Sequence, residues 1–349
     1  MDTIFALSSG ALPAGVAVVR FSGAGSRQAL EALAGSLPEP RRASLRTLRD
    51  SDGEAIDQAL IVWMPGPSSF TGEDCAEIHC HGSRAVIARL VESVAERDGL
   101  RGAEPGEFAR RAFLNGRIDL TEAEGLGDLI GAETEAQRRQ ALAQAGGAMA
   151  GQLASWRERL VGLLGEAEAG LDFADEADVA EGLSATFWKD LQSLADEIGE
   201  VLAGATFAER VREGFRIVIA GPPNAGKSTL LNAFARRDVA IVSPEAGTTR
   251  DLVSVELSLG GYPVTLVDTA GLRETPSEAE SLGVARARKA AEAADLVLRL
   301  SEGRPHFGEG SESDWMVETK ADVAGGPCGE LGARRFRISA VTGVGLAEL

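Results

Sequence analysis

The sequence predicts a chain of mixed class, α/β plus α: an N-terminal α/β domain over residues 1–118, a central helical domain over 119–212 and a second α/β domain over 213–349. Three observations predict it. Strand-like and helix-period runs alternate through the first third. The middle third carries apolar residues at every third or fourth position. In the last third a β-type run, a glycine-rich loop and a helical run follow one another between 215 and 235.

In the first domain, Gly15 to Phe21, Ala59 to Met64 and Cys75 to His81 read as strands, and Ser26 to Leu33 and Ser83 to Ala95 as helices. The connection Pro65 to Gly72 is too rich in turn formers for either, and is a site loop or a plain connector. Cys75, His79, Cys80 and His81 invite a metal reading. Strand alternation, however, places Cys80 opposite the other three, and no second ligand cluster accompanies them.

In the helical domain, Leu142, Ala145, Met149, Leu153, Trp156, Leu160, Leu163, Ala167 and Leu171 form one seam. Phe187, Leu191, Leu194, Ile198, Val201, Ala205 and Ala208 form a second, after the acidic connection Asp172 to Glu181. Core packing in a thin two-helix bundle is the expectation for both.

The last domain carries the chemistry. Gly-Pro-Pro-Asn-Ala-Gly-Lys-Ser at 221–228 lies between the β-type run Phe215 to Ala220 and the helical run Thr229 to Ala235, the setting of a phosphate-binding loop. Asn224, Ala225, Gly226, Lys227, Ser228 and Thr229 are the phosphate-binding candidates: inward N–H groups cradle the phosphates, Lys227 reaches the β- and γ-phosphates, and Ser228 ligates Mg²⁺. Gly247 to Asp251 stands where a switch loop closes on the γ-phosphate, with Thr249 as second Mg²⁺ hydroxyl. The strand Tyr262 to Val267 ends in Asp268, Thr269, Ala270 and Gly271, where Asp268 can hold a Mg²⁺-bound water and the Gly271 N–H can touch the γ-phosphate.

Thr319-Lys320-Ala321-Asp322 sits where a guanine-reading loop belongs. Asp322 accepts from N1–H and the 2-amino group, a pair adenine lacks. Ser339 and Ala340, after the strand Phe336 to Ile338, offer a backbone N–H to O6. These motifs in this order specify GTP.

Two departures stand out. Thr319 replaces the asparagine of most translation-type GTPases and ties its loop to the phosphate loop with a hydroxyl. Leu272 stands where Ras-like switches place the water-orienting glutamine. Asn224 could instead contribute to a monovalent-cation site beside the phosphates. The acidic stretch Glu274 to Glu280 either places a carboxylate near the attacking water or is a solvated switch face.

Composition sets outer limits. A net charge of −18 argues against a broad phosphate-coating face, leaving local clusters at Arg41 to Arg49, Arg110 to Arg117 and Arg334 to Arg337. The N-terminus lacks a signal-peptide pattern and no apolar run is long enough to span a membrane, so no membrane association is expected. Three cysteines give no disulfide framework and suit a reducing cytoplasm. Two other classes stay open: an RNA-binding ribosome-assembly switch timed by GTP, and a nucleotide-binding module without turnover.

The run Pro105-Gly106-Glu107-Phe108, continuing through Arg111 to Leu120, Ala123-Glu124 and Asp128 to Ile130, closely resembles the MnmE (TrmE) family of tRNA modification GTPases. Asp2-Thr3-Ile4, Arg20 to Gly23, Ser69 to Asp74 and Leu171-Asp172-Phe173 carry the same resemblance. It implies a folate-binding domain similar to aminomethyltransferases, a helical domain and an inserted potassium-stimulated GTPase domain. It also implies a homodimer that works with an FAD-dependent partner, MnmG (GidA). Together they add a carboxymethylaminomethyl group at C5 of the tRNA wobble uridine, a tetrahydrofolate derivative (5-formyl- or methylene-type) supplying one carbon.

Carried over by motif, Arg20, Glu77 and Arg117 line the folate pocket, the last standing where lysine is frequent. Asn224, Ser243, Glu245 and Thr248 form the potassium site, Ser243 and Thr248 also bordering GTP. Glu280 falls at the catalytic glutamate. The family's further helices and Cys-x-Gly-Lys tail do not appear, and Ser8 to Pro13 departs from its usual threonine-proline pattern. The expectation is a fragment, or a chain whose partner supplies the missing helices, that binds GTP.

Overall fold

A computed structural model describes residues 2–172, 183–237, 253–268, 289–302 and 314–349, with the backbone alone at 171, 172 and 253. Backbone packing divides the chain into two units, Met1–Glu124 and Gly125–Leu349. Among the described residues no helix is long and apolar enough to cross a membrane.

The first unit is built on β1 (Thr3–Leu7), β2 (Ala14–Ser22), β3 (Ser44–Arg49), β4 (Ala55–Met64), β5 (Cys75–Gly82) and β6 (Leu100–Gly102). They form a six-stranded sheet in the order β3-β4-β5-β2-β1-β6, antiparallel except for β1 beside β6. Helices α1 (Ser26–Ala34) and α2 (Arg84–Ala95) follow β2 and β5, and Ser83 caps α2 by accepting from the Val86 N–H at 3.1 Å.

Alternation along the strands decides the faces. Ala17, Val19, Phe21, Ile61, Trp63, Ala76, Ile78 and Cys80 are buried with Leu30 and Leu33 of α1 and Leu90 and Val94 of α2. Val16, Leu60 and the partly exposed Val18, Arg20, Glu77 and His79 occupy the opposite positions. The strands and helices expected around residues 15–95 are all present. β1, β3 and β6, and helix α3 (Glu107–Leu114), were not expected from patterning.

An ion network fastens α3 to this sheet. The Arg111 guanidinium, buried, donates to the Asp2 carbonyl at 2.8 Å, the Asp2 carboxylate at 2.9 Å, Glu73 at 3.0 Å and Glu107 at 3.2 Å. Arg101 of β6 grips the Glu107 carboxylate with two nitrogens at 2.6 and 2.8 Å. That hydrogen-bonded pairing with Arg101 chiefly pulls the Glu107 pKa down to about 2, against burial that would raise it. Arg111 is therefore structural and not part of a free basic face.

The second unit opens with helices α4 (Leu120–Gly131), α5 (Glu135–Ala145), α6 (Ala148–Asp172) and α7 (Ala185–Glu213). Four helices replace the expected two, and the first seam is broken. Gly146 ends α5 by donating to the Leu142 carbonyl at 3.0 Å, and Gly147 turns the chain with φ +81° before α6 begins. A side chain-bearing residue resists that left-handed conformation, so the glycine pair overrides the helical period.

Burial of the seams is also partial. Trp156, Phe187 and Leu194 are covered, whereas Leu142, Met149, Leu153 and Leu160 are each more than 40% exposed. The expected core reading holds for the first group only. Leu171 and the connection 173–182 lie outside the described side chains.

The remainder is a seven-stranded sheet: β7 (Phe215–Ala220), β8 (Val253–Leu259), β9 (Tyr262–Asp268), β10 (Leu296–Glu302), β11 (Asp314–Thr319), β12 (Gly329–Gly332) and β13 (Arg335–Arg337). Its order is β12-β13-β11-β10-β7-β9-β8, parallel from β13 to β9 with antiparallel edges at β12 and β8. Helix α8 (Lys227–Arg237) follows β7, and a short α9 (Ala321–Ala324) follows β11.

Two outcomes test this packing. In α4, a Cβ added at Gly125 would lie 2.5 Å from the Ala145 backbone nitrogen. Gly125→Ala should therefore cost about 1–3 kcal/mol of overpacking, outweighing the roughly 1 kcal/mol gained in helix propensity. A denaturation midpoint at or above the parent's would contradict the close approach. Because the Glu107 pKa is depressed in the folded state, its contribution is complete above the ordinary carboxylate range and fades as pH falls toward about 2. Glu107→Gln should be less stable than the parent at neutral pH, with a gap that narrows through this window. A constant gap would exclude the ion network as its source.

Candidate functional site

Five parallel strands of the second unit point their carboxyl ends to one edge, the side on which open α/β sheets bind ligands. The loop 221–228 leaves β7 there, Asp268 is the last residue of β9 and Thr319 the last of β11. Register thus brings together residues far apart in the chain: Asp268 pairs with Ile219, and Thr319 with Glu302.

Backbone geometry explains the loop's residue types. A Cβ at Gly221 would sit 2.5 Å from the Leu300 carbonyl oxygen, so the loop can lie against β10 only without a side chain there. Asn224 and Gly226 take positive φ, +65° and +89°, which turns the chain back toward α8. Lys227, largely buried, folds over the loop and donates to the Gly221 and Pro222 carbonyls at 2.8 and 2.9 Å. Ser228 donates to the Asp268 carboxylate at 2.8 Å. A hydroxyl and a carboxylate at that separation form an oxygen donor set suited to a hard divalent cation. Thr229 continues the first turn of α8.

Thr319 supplies the tie from β11. Its buried hydroxyl donates to the Ala225 carbonyl at 2.8 Å, with the Ser301 carbonyl at 3.2 Å. The hydroxyl thus does the fastening expected of it in place of asparagine. Lys320 adopts φ +58° and its ammonium pairs with Glu302; Asp322 stands exposed on α9. The Ser339 N–H donates to the Val344 carbonyl at 2.9 Å and its Oγ accepts from the Thr342 N–H, closing the last loop. Of the two N–H groups expected to face a base oxygen, that of Ser339 is thus engaged within its own loop. Ser243, Glu245, Thr248, Thr249, Thr269, Ala270, Gly271, Leu272 and Glu280 lie outside the described residues.

A second cluster stands on the less covered face of the first unit's sheet. Arg20 of β2 and Glu77 of β5 are register partners, and both the Nε and Nη2 of Arg20 meet Glu77 Oε1, at 2.9 and 2.8 Å. The guanidinium carbon lies 5.9 Å from the centroids of both Phe70 and Phe108. The loop carrying Phe70 is anchored: Thr71 and Ser22 hydroxyls meet at 2.7 Å, and Asn115 donates to the Thr71 carbonyl at 2.7 Å. Gly72 lies close to Arg117, whose Cγ would be 3.2 Å from a Cβ there. The structure therefore pairs Arg20 with Glu77 directly and sets Arg117 against the Phe70 loop. A partly exposed ion pair flanked by two rings suits a flat, polar-edged ligand.

Patterning did not single out Phe70 or Phe108 for this cluster and weighed His79 toward a metal alone; what joins His79 to the cluster is its place two residues beyond Glu77 on one strand. Cys80 points into the core, and Cys75, also buried, lies 3.2 Å from the Thr71 hydroxyl. Among the described residues no group of three or more His, Cys, Asp or Glu could hold a metal. The basic clusters are largely engaged: Arg42 with Glu39, Arg110 with Glu104, and Arg335 and Arg337 with Glu318.

Comparison with known proteins adds lineage. A family profile described as "GTP-binding protein TrmE N-terminus" matches residues 3–117, and "MnmE helical domain" matches 120–349. The tRNA modification GTPase MnmE of Rhodopseudomonas palustris is 52% identical over 356 residues, covering all of this chain and 80% of that protein. The protein of the same name from Bradyrhizobium sp. is 53% identical over 354 residues, with the same coverage. A crystal structure of Era from Aquifex aeolicus overlaps 38% of this chain and 53% of its own at 27% identity, with a TM-score of 0.29, too slight an overlap to bear on the fold.

Removing the Thr319 hydroxyl leaves the buried Ala225 carbonyl without its donor. Thr319→Val should cost about 1–3 kcal/mol and weaken guanine-nucleotide binding, whereas Thr319→Ser should stay near the parent in both. Equal behaviour of the two variants in GDP titration would show that the bond does not hold the loops together.

Proposed function

The chain belongs to the MnmE family of tRNA modification GTPases, and we propose that it is a GTP hydrolase in which GTP lies along the carboxyl edge of the second unit's sheet. The observation that carries this reading is the convergence of Lys227, Ser228 and Asp268 with the Thr319–Ala225 bond. Lys227 exchanges its neutral carbonyl partners for phosphate oxygens, a stronger charge-assisted contact. The N–H groups of 224–229 hold the α- and β-phosphates, Asp322 reads the guanine edge, Lys320 flanks the base, and the Ala340 N–H meets O6.

Ser228 and Thr249 would hold Mg²⁺, with Asp268 acting on its water shell; the ion neutralises charge developing between the β- and γ-phosphates. Asn224, with Ser243, Glu245 and Thr248, would hold K⁺ where an arginine finger otherwise stands. Thr269, Ala270 and Gly271 border the γ-phosphate. Glu280 is assigned to the attacking water, acting through other waters, since Leu272 has no hydrogen-bonding group.

Arg20, Glu77 and Arg117 would hold a tetrahydrofolate derivative. The sheet pair supports this assignment: it offers a carboxylate to ring N–H groups and a cation between two aromatic faces. In the same reading a homodimer works with the FAD-dependent MnmG (GidA) to add a carboxymethylaminomethyl group at C5 of the tRNA wobble uridine, in the cytoplasm. The three-part division at 118 and 212 assigns one role to each part: folate, helical relay, GTPase.

GTP hydrolysis should be several-fold faster in potassium than in sodium chloride at equal ionic strength; equal rates would remove the cation from the mechanism. Glu280→Ala should lower turnover by about a hundredfold or more while GDP affinity changes by less than about threefold. Parallel losses of rate and affinity would reassign Glu280 to binding. Mass spectrometry of tRNA from a strain lacking the gene should show depleted carboxymethylaminomethyl-uridine; an unchanged nucleoside profile would refute the tRNA role.

A further inference from the structure

His79 is the second neighbour of the Glu77 carboxylate. Its Nε2 lies 3.0 Å from Glu77 Oε2, whereas the Arg20 Nε and Nη2 contacts both fall on Oε1. The two oxygens of one carboxylate thus have different holders on different strands: Arg20 from β2, and His79 from β5 itself.

The surroundings make this contact selective. His79 stands opposite Val18 on β2 and Leu60 on β4, neither of which has a side-chain hydrogen-bonding group. Among the described residues, the Glu77 carboxylate is the polar side-chain group within hydrogen-bond distance of the ring. His81, the next histidine on this side of β5, is committed elsewhere, its backbone N–H and Nδ1 both meeting Asp57 at 2.8 Å. The imidazole is partly open, with a third of its side chain exposed, and so borders the face on which a ligand of Glu77 would lie.

A carboxylate held at one oxygen alone can still rotate about its terminal bond, because that torsion is broad. Held at both, its plane is set, and the lone pair left on Oε2, beside the one that takes His79, faces a fixed direction. A ligand N–H binds such a carboxylate without first having to order it.

We propose that His79 is a positioning residue of the folate site. By donating from Nε2–H to Glu77 Oε2, it fixes the carboxylate plane and so aims the remaining Oε2 lone pair at an N–H of the pterin-type ring. This rests on the assignment of Glu77 to folate made above. His79 does not itself touch the ligand in this role.

The test is calorimetric titration of 5-formyltetrahydrofolate into the full chain and into Glu77→Ala, His79→Ala and His79→Gln. Glu77→Ala examines the folate assignment. If it binds like the parent, or if the parent shows no binding, that assignment fails and the role of His79 falls with it. With the parent binding and Glu77→Ala defective, the histidine variants decide the proposal alone. His79→Ala should weaken binding about tenfold, the size of one hydrogen bond to a charged acceptor, with an unchanged unfolding midpoint. His79→Gln, whose amide retains an N–H donor, should return to within about threefold of the parent. Parent-like affinity in His79→Ala, or a glutamine variant as weak as the alanine one, would overturn the proposal. Loss of folded protein in His79→Ala leaves the glutamine variant to decide: a folded glutamine variant with about tenfold weaker binding overturns it, and a parent-like one supports it.

Discussion

The hydrogen bond from the Thr319 hydroxyl to the Ala225 carbonyl joins the two halves of the nucleotide edge. One half is the loop after β7, shaped by Gly221, Asn224 and Gly226; the other is the end of β11, where the residues proposed to read the base begin. Parallel strands bring the two loops to the same edge, but they do not fix one loop against the other. A buried hydroxyl shared between the Ala225 and Ser301 carbonyls does, at a cost in desolvation that only the completed pair offsets. The residues proposed to contact phosphate and base are thereby tied to one another.

The first unit solves a related problem with charge. Its sheet presents Arg20 and Glu77 on a face that the helices α1 and α2 do not cover, next to a loop whose conformation has no ladder hydrogen bonds of its own. Ser22, Thr71 and Asn115 fix that loop by short polar contacts, and Arg111 ties Glu73 to Asp2 and Glu107. A buried arginine with several carboxylate partners is expensive to form and more expensive to break. It therefore specifies one placement of α3 and of the Phe108 ring that it carries beside Arg20.

Much of this was legible from residue order. The strand–loop–helix of 215–237 is a local pattern with a single meaning, and the alternation of Cys75 to Gly82 assigned His79 and Cys80 to opposite faces. What was hidden depends on contacts between distant residues. Five residues, Thr3 to Leu7, are too few for periodicity to mark β1. Arg111 reads as one more surface cation in a basic cluster until the fold brings Asp2 and Glu73 to it. The seam from Leu142 onward reads as one helix because apolar spacing continues across Gly146-Gly147, where backbone preference prevails over side-chain period. Its residues also read as core, yet spacing reports only that they share a stripe and cannot say what covers it.

Competitive titration with GDP and ADP under identical Mg²⁺ and K⁺ asks whether the phosphate loop and the base loop act as one site. GDP should bind at least about a hundredfold more tightly, the discrimination expected when a buried polar group is matched by one ligand and stranded by the other. Comparable affinity for the two nucleotides would mean that the two loops do not form one guanine-reading site.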